Sequence, residues 1–252
     1  MAQLNEIVGY CDVLMQVDKF RDYCPNGLQV EGRSEVRKIV SAVTASQDAI
    51  DAAVAAGADL LLVHHGFFWK NENPVLTGPK KRRIKTLLEN DLSLLAYHLP
   101  LDAHPEIGNN AQLGRLLNIE FVEHFDTGSP LPWGFVGKLH RKLSGNELSD
   151  LINEKLGRFP LHIPGHSREI EKIAWCTGGA QGYFEVAAMH NIDAYISGEV
   201  SEQTYHQAKE LGIDYFSAGH YATERYGVQA LAEKLVGRFN LTHDFVEINN
   251  PV

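Results

Sequence analysis

The spacing of apolar residues changes along the chain from a helical rhythm to continuous apolar runs. Apolar positions recur at helical spacing over residues 4–17, before turn-forming residues at 24–27. Residues 39–43 and 58–63 are apolar runs, and the segment between them, 46–56, is rich in alanine. This predicts a strand, helix and strand with the two strands parallel and buried; Ser46 caps the helix and Gly57 ends it.

A related pattern returns in the second half of the chain. Residues 36–66 align without gaps on residues 170–200, although few positions are identical. Residues 91–102 align with 213–224, and each segment is an apolar strand followed by histidine, three residues and a carboxylate. The change of offset between the two alignments places 12 additional residues in the first copy, in the loop 67–78.

These repeats predict an α/β protein built of two similar halves that arose by internal duplication. We place the halves at residues 1–125 and 126–252, with a linker at 127–132. The second half should contain a helix at 144–157 and a last strand at 244–248.

Chemically reactive side chains stand at the ends of three predicted strands. Parallel α/β sheets bind their ligands beyond the carboxyl ends of the strands, so these side chains are the first candidates for a site. They are His64, His65, His98 with Asp102, and His220 with Glu224.

The local geometry of these candidates differs. His64 and His65 would face opposite sides of a regular strand, so we expect the backbone to turn there, which Gly66 permits. His220 and Glu224 share one face if a helix begins at Tyr221. The equally spaced His98 and Asp102 flank Pro100 (HLPLD), which predicts a loop or a first helical turn.

This combination of side chains points to metal binding. A single histidine at a strand end is usually a hydrogen-bonded structural residue, but three such strand ends with two carboxylates favour a metal site. Imidazole and carboxylate without thiolate suit Zn, Mn, Fe, Co or Ni. Five or six ligands are more than one tetrahedral catalytic ion needs, so two divalent ions about 3.5–4 Å apart, and hydrolytic chemistry, are expected.

Other residues have simpler interpretations. The glycine-rich residues 177–182 could hold an anion, but a tight turn between strand and helix is favoured. Cys176 is expected in the core, and the apolar loop residues 67–69 cover a site or pack between subunits. The remaining histidines show no partner spacing: His104, His124, His140, His162, His166, His190, His206 and His243.

Composition excludes several classes of protein. The net charge is -9, and the only dense basic run, residues 80–83, is expected to be the solvated end of a helix, so nucleic acid is not expected as a partner. Three cysteines without a CxxC motif or a preceding signal peptide predict a reducing, cytoplasmic location. No apolar run approaches the roughly 18 residues of a membrane span.

Seven short motifs, in order along essentially the whole chain, resemble one known family. They are residues 26–32 (NGLQVEG), 43–46 (VTAS), 63–66 (VHHG), 98–102 (HLPLD), 108–110 (GNN), 197–199 (SGE) and 219–224 (GHYATE). Together they look like the dinuclear-metal proteins called GTP cyclohydrolase I type-two homologues, and most of all their bacterial YbgI group.

The resemblance implies two interlinked, similar α/β domains in a toroidal homohexamer, with two divalent metal ions in each subunit at a site shared by both domains. By that analogy the metal ligands are His64, His65, Asp102, His220 and Glu224, with Glu224 as the bridge between the ions. His98 lies beside the metals and is the candidate for proton transfer or water positioning.

Two functions follow as hypotheses. The first is a metal-dependent hydrolase that acts on a nucleotide or a related purine or pterin compound. The second is a non-enzymatic ring protein that binds metal or a partner, and activity and metal-dependent stability would discriminate between the two.

Overall fold

The structure is a computed structural model that describes residues 1–165 and 169–252 of a mixed α/β protein. It contains two compact units: Met1–Leu101 with Gly227–Asn249, and Asp102–Tyr226 with Asn250–Val252. The units are defined by the compactness of the folded chain, whereas the predicted halves are defined by similarity between two parts of the sequence. The boundaries of the units therefore differ from those of the halves.

The first unit contains a five-stranded sheet, a two-stranded sheet and three helices of its own. Its elements are β1 (Ala2–Gln3), α1 (Leu4–Met15), a 3-10 turn (Val17–Lys19), β2 (Gly27–Val30), β3 (Glu35–Val36), β4 (Lys38–Thr44), α2 (Gln47–Ala55), β5 (Leu60–His65), α3 (Gly78–Glu89), β6 (Ser93–Ala96) and, late in the chain, β13 (Thr242–Phe245). The unit boundaries fall inside two further helices, α4 (Leu99–Ala103) and α9 (His220–Phe239).

The large sheet of the first unit has the strand order β13-β4-β5-β6-β2. β4, β5 and β6 are parallel, β13 runs parallel to β4, and β2 is antiparallel to β6. The central strands are buried along their length, as their continuous apolar sequences predict. The carboxyl ends of β5 and β6 therefore lie at the same edge of the sheet.

The second unit is built on a six-stranded sheet. Its elements are α5 (Asn109–Leu116), β7 (Ile119–Phe125), β8 (Gly134–Leu143), α6 (Gly145–Leu156), β9 (Leu161–Ile163), β10 (Ile170–Cys176), a 3-10 turn (Gln181–Tyr183), α7 (Phe184–Ala188), β11 (Ala194–Ser197), α8 (Glu202–Leu211) and β12 (Asp214–Ser217). The strand order is β7-β8-β10-β11-β12-β9, and β10, β11 and β12 are parallel.

Most of the elements predicted from the sequence are present. Ser46 caps α2 by accepting a hydrogen bond from the Ala49 amide, and Gly57 follows the helix with a φ of 67°. The helix predicted at 144–157 is α6. The last strand lies at Thr242–Phe245 rather than at 244–248, because its residues pair in register with Lys38–Ser41 of β4.

Each of the two large sheets thus contains three neighbouring parallel strands that are consecutive in the chain and joined through helices. These triplets lie in the segments that the sequence alignment matched. The internal duplication itself stays a prediction.

Among the helices of the described residues, none combines the length and the apolar character that a bilayer span requires.

Candidate metal site

In the first unit, three histidines gather at the carboxyl ends of neighbouring strands. His64 and His65 end β5, and His98 follows β6 after Tyr97. The ring centroids lie 4.5 Å (His64 to His65), 5.1 Å (His64 to His98) and 5.7 Å (His65 to His98) apart. One ring nitrogen from each lies within 4.8 Å of the others, a spacing that a shared metal ion can bridge.

The predicted turn between His64 and His65 is wrong. β5 continues through His65, which pairs with Thr44 of β4. The two rings are nevertheless adjacent at the end of the strand, with their centroids 4.5 Å apart. Gly66 is needed for a different reason: a Cβ there would collide with the Gln29 amide, which accepts a hydrogen bond from the Phe67 amide at 2.6 Å.

Each of the three imidazoles is held through its Nδ1 atom. Nδ1 of His64 contacts the Tyr97 carbonyl at 2.9 Å, and Nδ1 of His65 contacts Oγ1 of Thr44 at 3.1 Å. Nδ1 of His98 contacts Oδ1 of Asp22 at 2.7 Å. A partner at Nδ1 fixes the ring and makes Nε2 the atom suited to a metal, the arrangement usual for metal-binding histidines.

Asp22 is the centre of a hydrogen-bond network that sequence reasoning did not find. Its carboxylate accepts hydrogen bonds from the Tyr23 and Leu99 amides and from the Asn26 side chain, besides contacting His98. Burial raises its pKa, but the contact with His98 and the other donors outweigh burial, and the pKa lies below the usual value. The Asn26 side chain in turn accepts a hydrogen bond from the His98 amide at 2.7 Å.

The cysteines near this cluster are poor ligands. Cys24 lies close enough to Asp22 and His98 to form a candidate group with them. Burial first, and then the Asp22 charge, raise the pKa of its thiol to about 12. Because only the thiolate binds metal well, the imidazole and carboxylate donors are the better set.

In the second unit, His220 and Glu224 lie one turn apart at the start of α9. Nε2 of His220 and Oε2 of Glu224 are 3.0 Å apart, so the predicted shared face is confirmed. Nδ1 of His220 contacts Oε1 of Glu199 at 2.7 Å. Burial lowers the pKa of His220, but Glu224 and Glu199 outweigh burial and raise it to about 9.

Asp102 is a buried carboxylate held by amide and hydroxyl donors. The Asn109 side chain donates to Oδ1 at 2.9 Å, and the Thr177 hydroxyl donates to the same atom at 3.3 Å. The Asn110 side chain donates to the Asp102 backbone carbonyl at 3.3 Å. Pro100 lies in the first turn of α4, where a proline is tolerated, which selects one of the two predicted geometries.

The glycine-rich turn after β10 packs directly against the helix-borne pair. Gly178 has a φ of 69°, and a Cβ there would collide with Oε1 of Glu224. The Gly178 amide donates to Oγ1 of Thr223, and the Ala180 amide donates to the Gly178 carbonyl. The Gly178 and Ala180 amides are thus engaged within the protein, which agrees with the tight turn that the sequence favours. Cys176 is buried, as predicted for a core residue.

Several other histidines have structural partners. His162 contacts Asp214 at 2.8 Å, His206 contacts Glu202 at 3.1 Å, and Nε2 of His243 contacts Oγ of Ser41 at 2.7 Å. His166 lies outside the described residues.

Comparison with known proteins identifies the family. The sequence profile described as Duf34/NIF3 (NGG1p interacting factor 3) matches residues 2–251. The chain belongs to this family. The resemblance inferred from the seven motifs is thereby confirmed, because relatives carrying the name "GTP cyclohydrolase 1 type 2 homolog" match along the whole length.

Three relatives of that name illustrate the similarity. A protein of Allochromatium vinosum is 52% identical over 251 residues, which cover 100% of this chain and 98% of the relative. A protein of Pseudomonas aeruginosa is 53% identical, covering 98% of each chain. A protein of Escherichia coli is 51% identical and covers 91% of this chain and 92% of its own.

Solved structures of similar proteins have the same fold as this chain. A structure described as protein ybgI, of unknown function, matches with a TM-score of 0.95 and 46% identity over the full length of both chains. A protein from Thermus thermophilus matches with a TM-score of 0.88 and 33% identity, again over both full lengths.

The supporting residues could be found from the sequence only as family motifs. Asn26, Thr44, Asn109, Asn110 and Glu199 all lie in quoted motifs, yet local pattern gave them no role. The structure shows that each fixes a predicted site residue. Asp22 lies outside every motif, and no local signal pointed to it.

Proposed function

We propose that this protein is a dinuclear metal-dependent hydrolase that acts on a nucleotide or a related purine or pterin compound. The substrate class is suggested by the name of its relatives, "GTP cyclohydrolase 1 type 2 homolog". The metal dependence is suggested by the donor sets of the two units.

The observation that carries the proposal is the organisation of the His64, His65 and His98 cluster. Three imidazoles whose ligand atoms lie within 4.8 Å of one another would repel one another if protonated. Each has a protein partner at Nδ1, which fixes the ring and leaves Nε2 as the atom suited to a metal. Purely structural histidines would not need ring nitrogens from three residues brought together.

The residues present fit divalent metal ions. Under this proposal His64, His65, Asp102, His220 and Glu224 hold two ions, with Glu224 as the bridge, as the family resemblance implies. The absence of a side chain at Gly178 fits the same role, because any larger residue would displace the Glu224 carboxylate. When bound, such ions lower the pKa of a coordinated water and stabilise the attacking and leaving oxygens of a hydrolysis.

His98 is the proposed group for proton transfer or water positioning. Its ring is 14% exposed and Asp22 is 4% exposed, so the pair is shielded from bulk water. Asp22 fixes the ring orientation and stabilises the protonated form of His98 when it accepts a proton. Asp22 thus acts through His98 and is a positioning residue.

We also propose the toroidal homohexamer that the resemblance implies. The net charge of -9 disfavours nucleic acid as a ligand of such a ring. Light scattering coupled to gel filtration would test the subunit number, and a monomer at micromolar concentration would contradict it.

The functional test combines metal analysis with a substrate panel. Protein reconstituted with Mn, Fe, Co, Ni or Zn should hydrolyse a member of a nucleotide and pterin panel. His220→Ala and Glu224→Ala should lose both bound metal and activity. His206→Ala is a matched control, because His206 forms an exposed pair with Glu202 at the same four-residue spacing.

Two results would change the interpretation. Activity that persists in metal-free His220→Ala protein would refute a metal-dependent hydrolase. A silent panel together with tight, stoichiometric metal binding would favour the alternative, a non-enzymatic protein that binds metal or a partner.

A further inference from the structure

An aromatic cavity of about 240 Å³ lies in the second unit, beside the edge strand β7. Its lining comes from α5, β7, β8 and β10 and from the loop before α5. The side chains on which the argument rests are Arg115, Phe121, His124, Phe135 and Trp175.

Four rings form the walls of this aromatic cavity. Phe135 and Trp175 are 3% and 1% exposed and form its interior, whereas Phe121 is 48% exposed at the rim. The ring centroids of Phe135 and Trp175 are 5.5 Å apart, and those of His124 and Phe135 are 4.5 Å apart. Phe135 and Trp175 thus close the inner end of the cavity, and the accessible ring surface on which another flat ring can stack is that of Phe121 and His124.

Two rim residues add polar groups. Arg115 is exposed and uses one guanidinium nitrogen, Nη1, to donate to the Glu106 carbonyl. Nδ1 of His124 is held by the Gly134 carbonyl at 3.0 Å, which fixes the ring and directs further bonding to Nε2. Arginine presents several donors in a planar fork that matches phosphate geometry, so the rim suits an anion.

We propose that this aromatic cavity binds a heteroaromatic ring that carries a phosphate group, with the ring stacked on Phe121 and His124 in front of Phe135 and Trp175, and the phosphate at Arg115. The volume suits one ring system rather than a larger ligand, for which pockets of about 300–1,000 Å³ are usual. The inference deepens the proposed function by assigning a place for a nucleotide, and it rests on that function only for the ligand class.

The cavity is connected to a predicted site residue within the same unit. Nε1 of Trp175 donates to the Asn110 carbonyl at 2.9 Å, and the Asn110 side chain donates to the Asp102 carbonyl at 3.3 Å. Helix α5 thus presents Asn109 and Asn110 to Asp102, and Arg115 to the cavity.

The test reads each tryptophan separately. The chain has three tryptophans, Trp69, Trp133 and Trp175, so protein labelled with 5-fluorotryptophan gives three fluorine resonances, assigned by single replacement with phenylalanine. GMP is added to metal-free protein, so that no turnover is involved. The Trp175 resonance should shift saturably, and guanosine and ribose 5-phosphate show the separate contributions of ring and phosphate.

Two variants and one control define the site. Arg115→Gln should weaken GMP binding roughly tenfold, to the level of guanosine, because a charge-assisted contact is lost. Phe121→Ala should weaken GMP and guanosine alike, by roughly tenfold, because stacking is lost. Arg82→Gln, at an exposed arginine of the first unit, should leave both affinities unchanged.

The outcomes separate this inference from the proposed hydrolase. The ring centroid of Trp69 lies 5.0 Å from that of His98, so Trp69 reports binding at the histidine cluster. If the Trp175 resonance does not shift, the proposal that the aromatic cavity binds the nucleotide is refuted. A Trp69 shift in the same titration would still be compatible with the proposed hydrolase. A Trp175 shift that Arg115→Gln does not weaken would overturn the phosphate assignment. A Trp175 shift with the expected variant effects, in a protein without hydrolytic activity, would support the cavity alone.

Discussion

Gly178 shows how one missing side chain shapes the candidate site. Its φ of 69° is unfavourable for residues with a Cβ, and its Cα hydrogens face the Glu224 carboxylate. Gly182, in the same glycine-rich turn, would have no atom within 4 Å of an added Cβ, and its φ is not positive. Two glycines four residues apart therefore have different reasons to be present.

We expect Gly178→Ala to weaken metal binding by about tenfold or more, since the Glu224 carboxylate must move away from His220. The left-handed backbone adds a stability cost of about 1 kcal/mol. Calorimetric titration with Mn or Zn and urea unfolding measure the two effects. Gly182→Ala is the matched control, and equal metal affinities in both variants would show that the close approach is not important.

The Asp22 carboxylate fixes the orientation of the His98 ring. In Asp22→Asn the side-chain NH2 group would replace one of the two oxygens and would face either the Tyr23 or the Leu99 amide, which is also a donor, so we expect a loss of about 2 kcal/mol of unfolding free energy at pH 7. Asp18→Asn, at an exposed aspartate, should change stability little.

The same replacement has a defined pH dependence. Because the folded pKa of Asp22 lies below the usual value of about 3.9, its stabilisation is complete only well above that pH and is lost as the pH falls through the folded pKa. The stability gap between wild type and Asp22→Asn, measured in chelated protein by urea unfolding, should shrink from about pH 5 to about pH 3. A constant gap would mean that the Asp22 charge does not stabilise the fold.

At the scale of elements, α6 is a helix whose two ends are both specified by sequence. Ser144 accepts a hydrogen bond from the Glu147 amide, and Glu147 accepts in return from the Ser144 amide at 2.8 Å. Gly157 ends the helix with a φ of 74°. Hydrogen bonds from the Ser144 amide and hydroxyl, and then from Arg141, lower the pKa of Glu147 to about 2.

Ser144→Ala should therefore destabilise the protein by about 1 kcal/mol, the usual value of such a cap. Ser149→Ala in the same helix is the control, because the Ser149 hydroxyl only donates back to the Gly145 carbonyl and alanine favours a helix. Urea unfolding at neutral pH measures both variants, and a Ser149→Ala effect as large as that of Ser144→Ala would argue against the cap.

The sequence pattern predicted the buried strands well but placed the edge strand β13 inaccurately. Continuous apolar runs located β4 and β5, because a parallel strand that is buried on both faces has apolar side chains at successive positions rather than an alternation of apolar and polar ones. β13 begins two residues and ends three residues before its predicted bounds, since its half-exposed sequence carries little pattern and its register depends on pairing with β4.

Dependence on contacts between distant parts of the chain also explains which site residues the sequence revealed. The strand-end rule found His64, His65, His98 and His220, because those positions follow from local topology. The residues that orient them come from distant parts of the sequence, as when Asp22 holds His98 across 76 positions. Only folding brings such pairs together, so local pattern cannot reveal them.

At the scale of the whole molecule, the structure changes one expectation about the charged residues. The basic run 80–83 was predicted to be solvated, but the Lys80 side chain is only 13% exposed and contacts Glu72 at 3.2 Å. Part of the sparse positive charge is thus neutralised within the first unit. The remaining acidic excess will attract any cation weakly, which a test of specific metal binding must take into account.

Specific binding should raise the melting temperature of the whole protein. A metal present at about 100 times its dissociation constant adds about 2.7 kcal/mol, which corresponds to roughly 5–10 °C for a chain of this size. Adding a chelator should reverse the shift. Calorimetry of wild type and of Glu224→Ala, with and without Mn, provides the measurement, and His206→Ala should behave like wild type.

The source of any shift can be identified from its dependence on ion and salt. Attraction by the net charge of -9 would act equally for Mg, persist in Glu224→Ala and fade as salt shortens the Debye length to about 8 Å. Binding at imidazole and carboxylate donors should instead prefer Mn, Co, Ni or Zn over Mg and require Glu224. A Mg shift as large as the Mn shift, unchanged in Glu224→Ala, would therefore assign the stabilisation to bulk charge and remove the thermodynamic support for a metal centre.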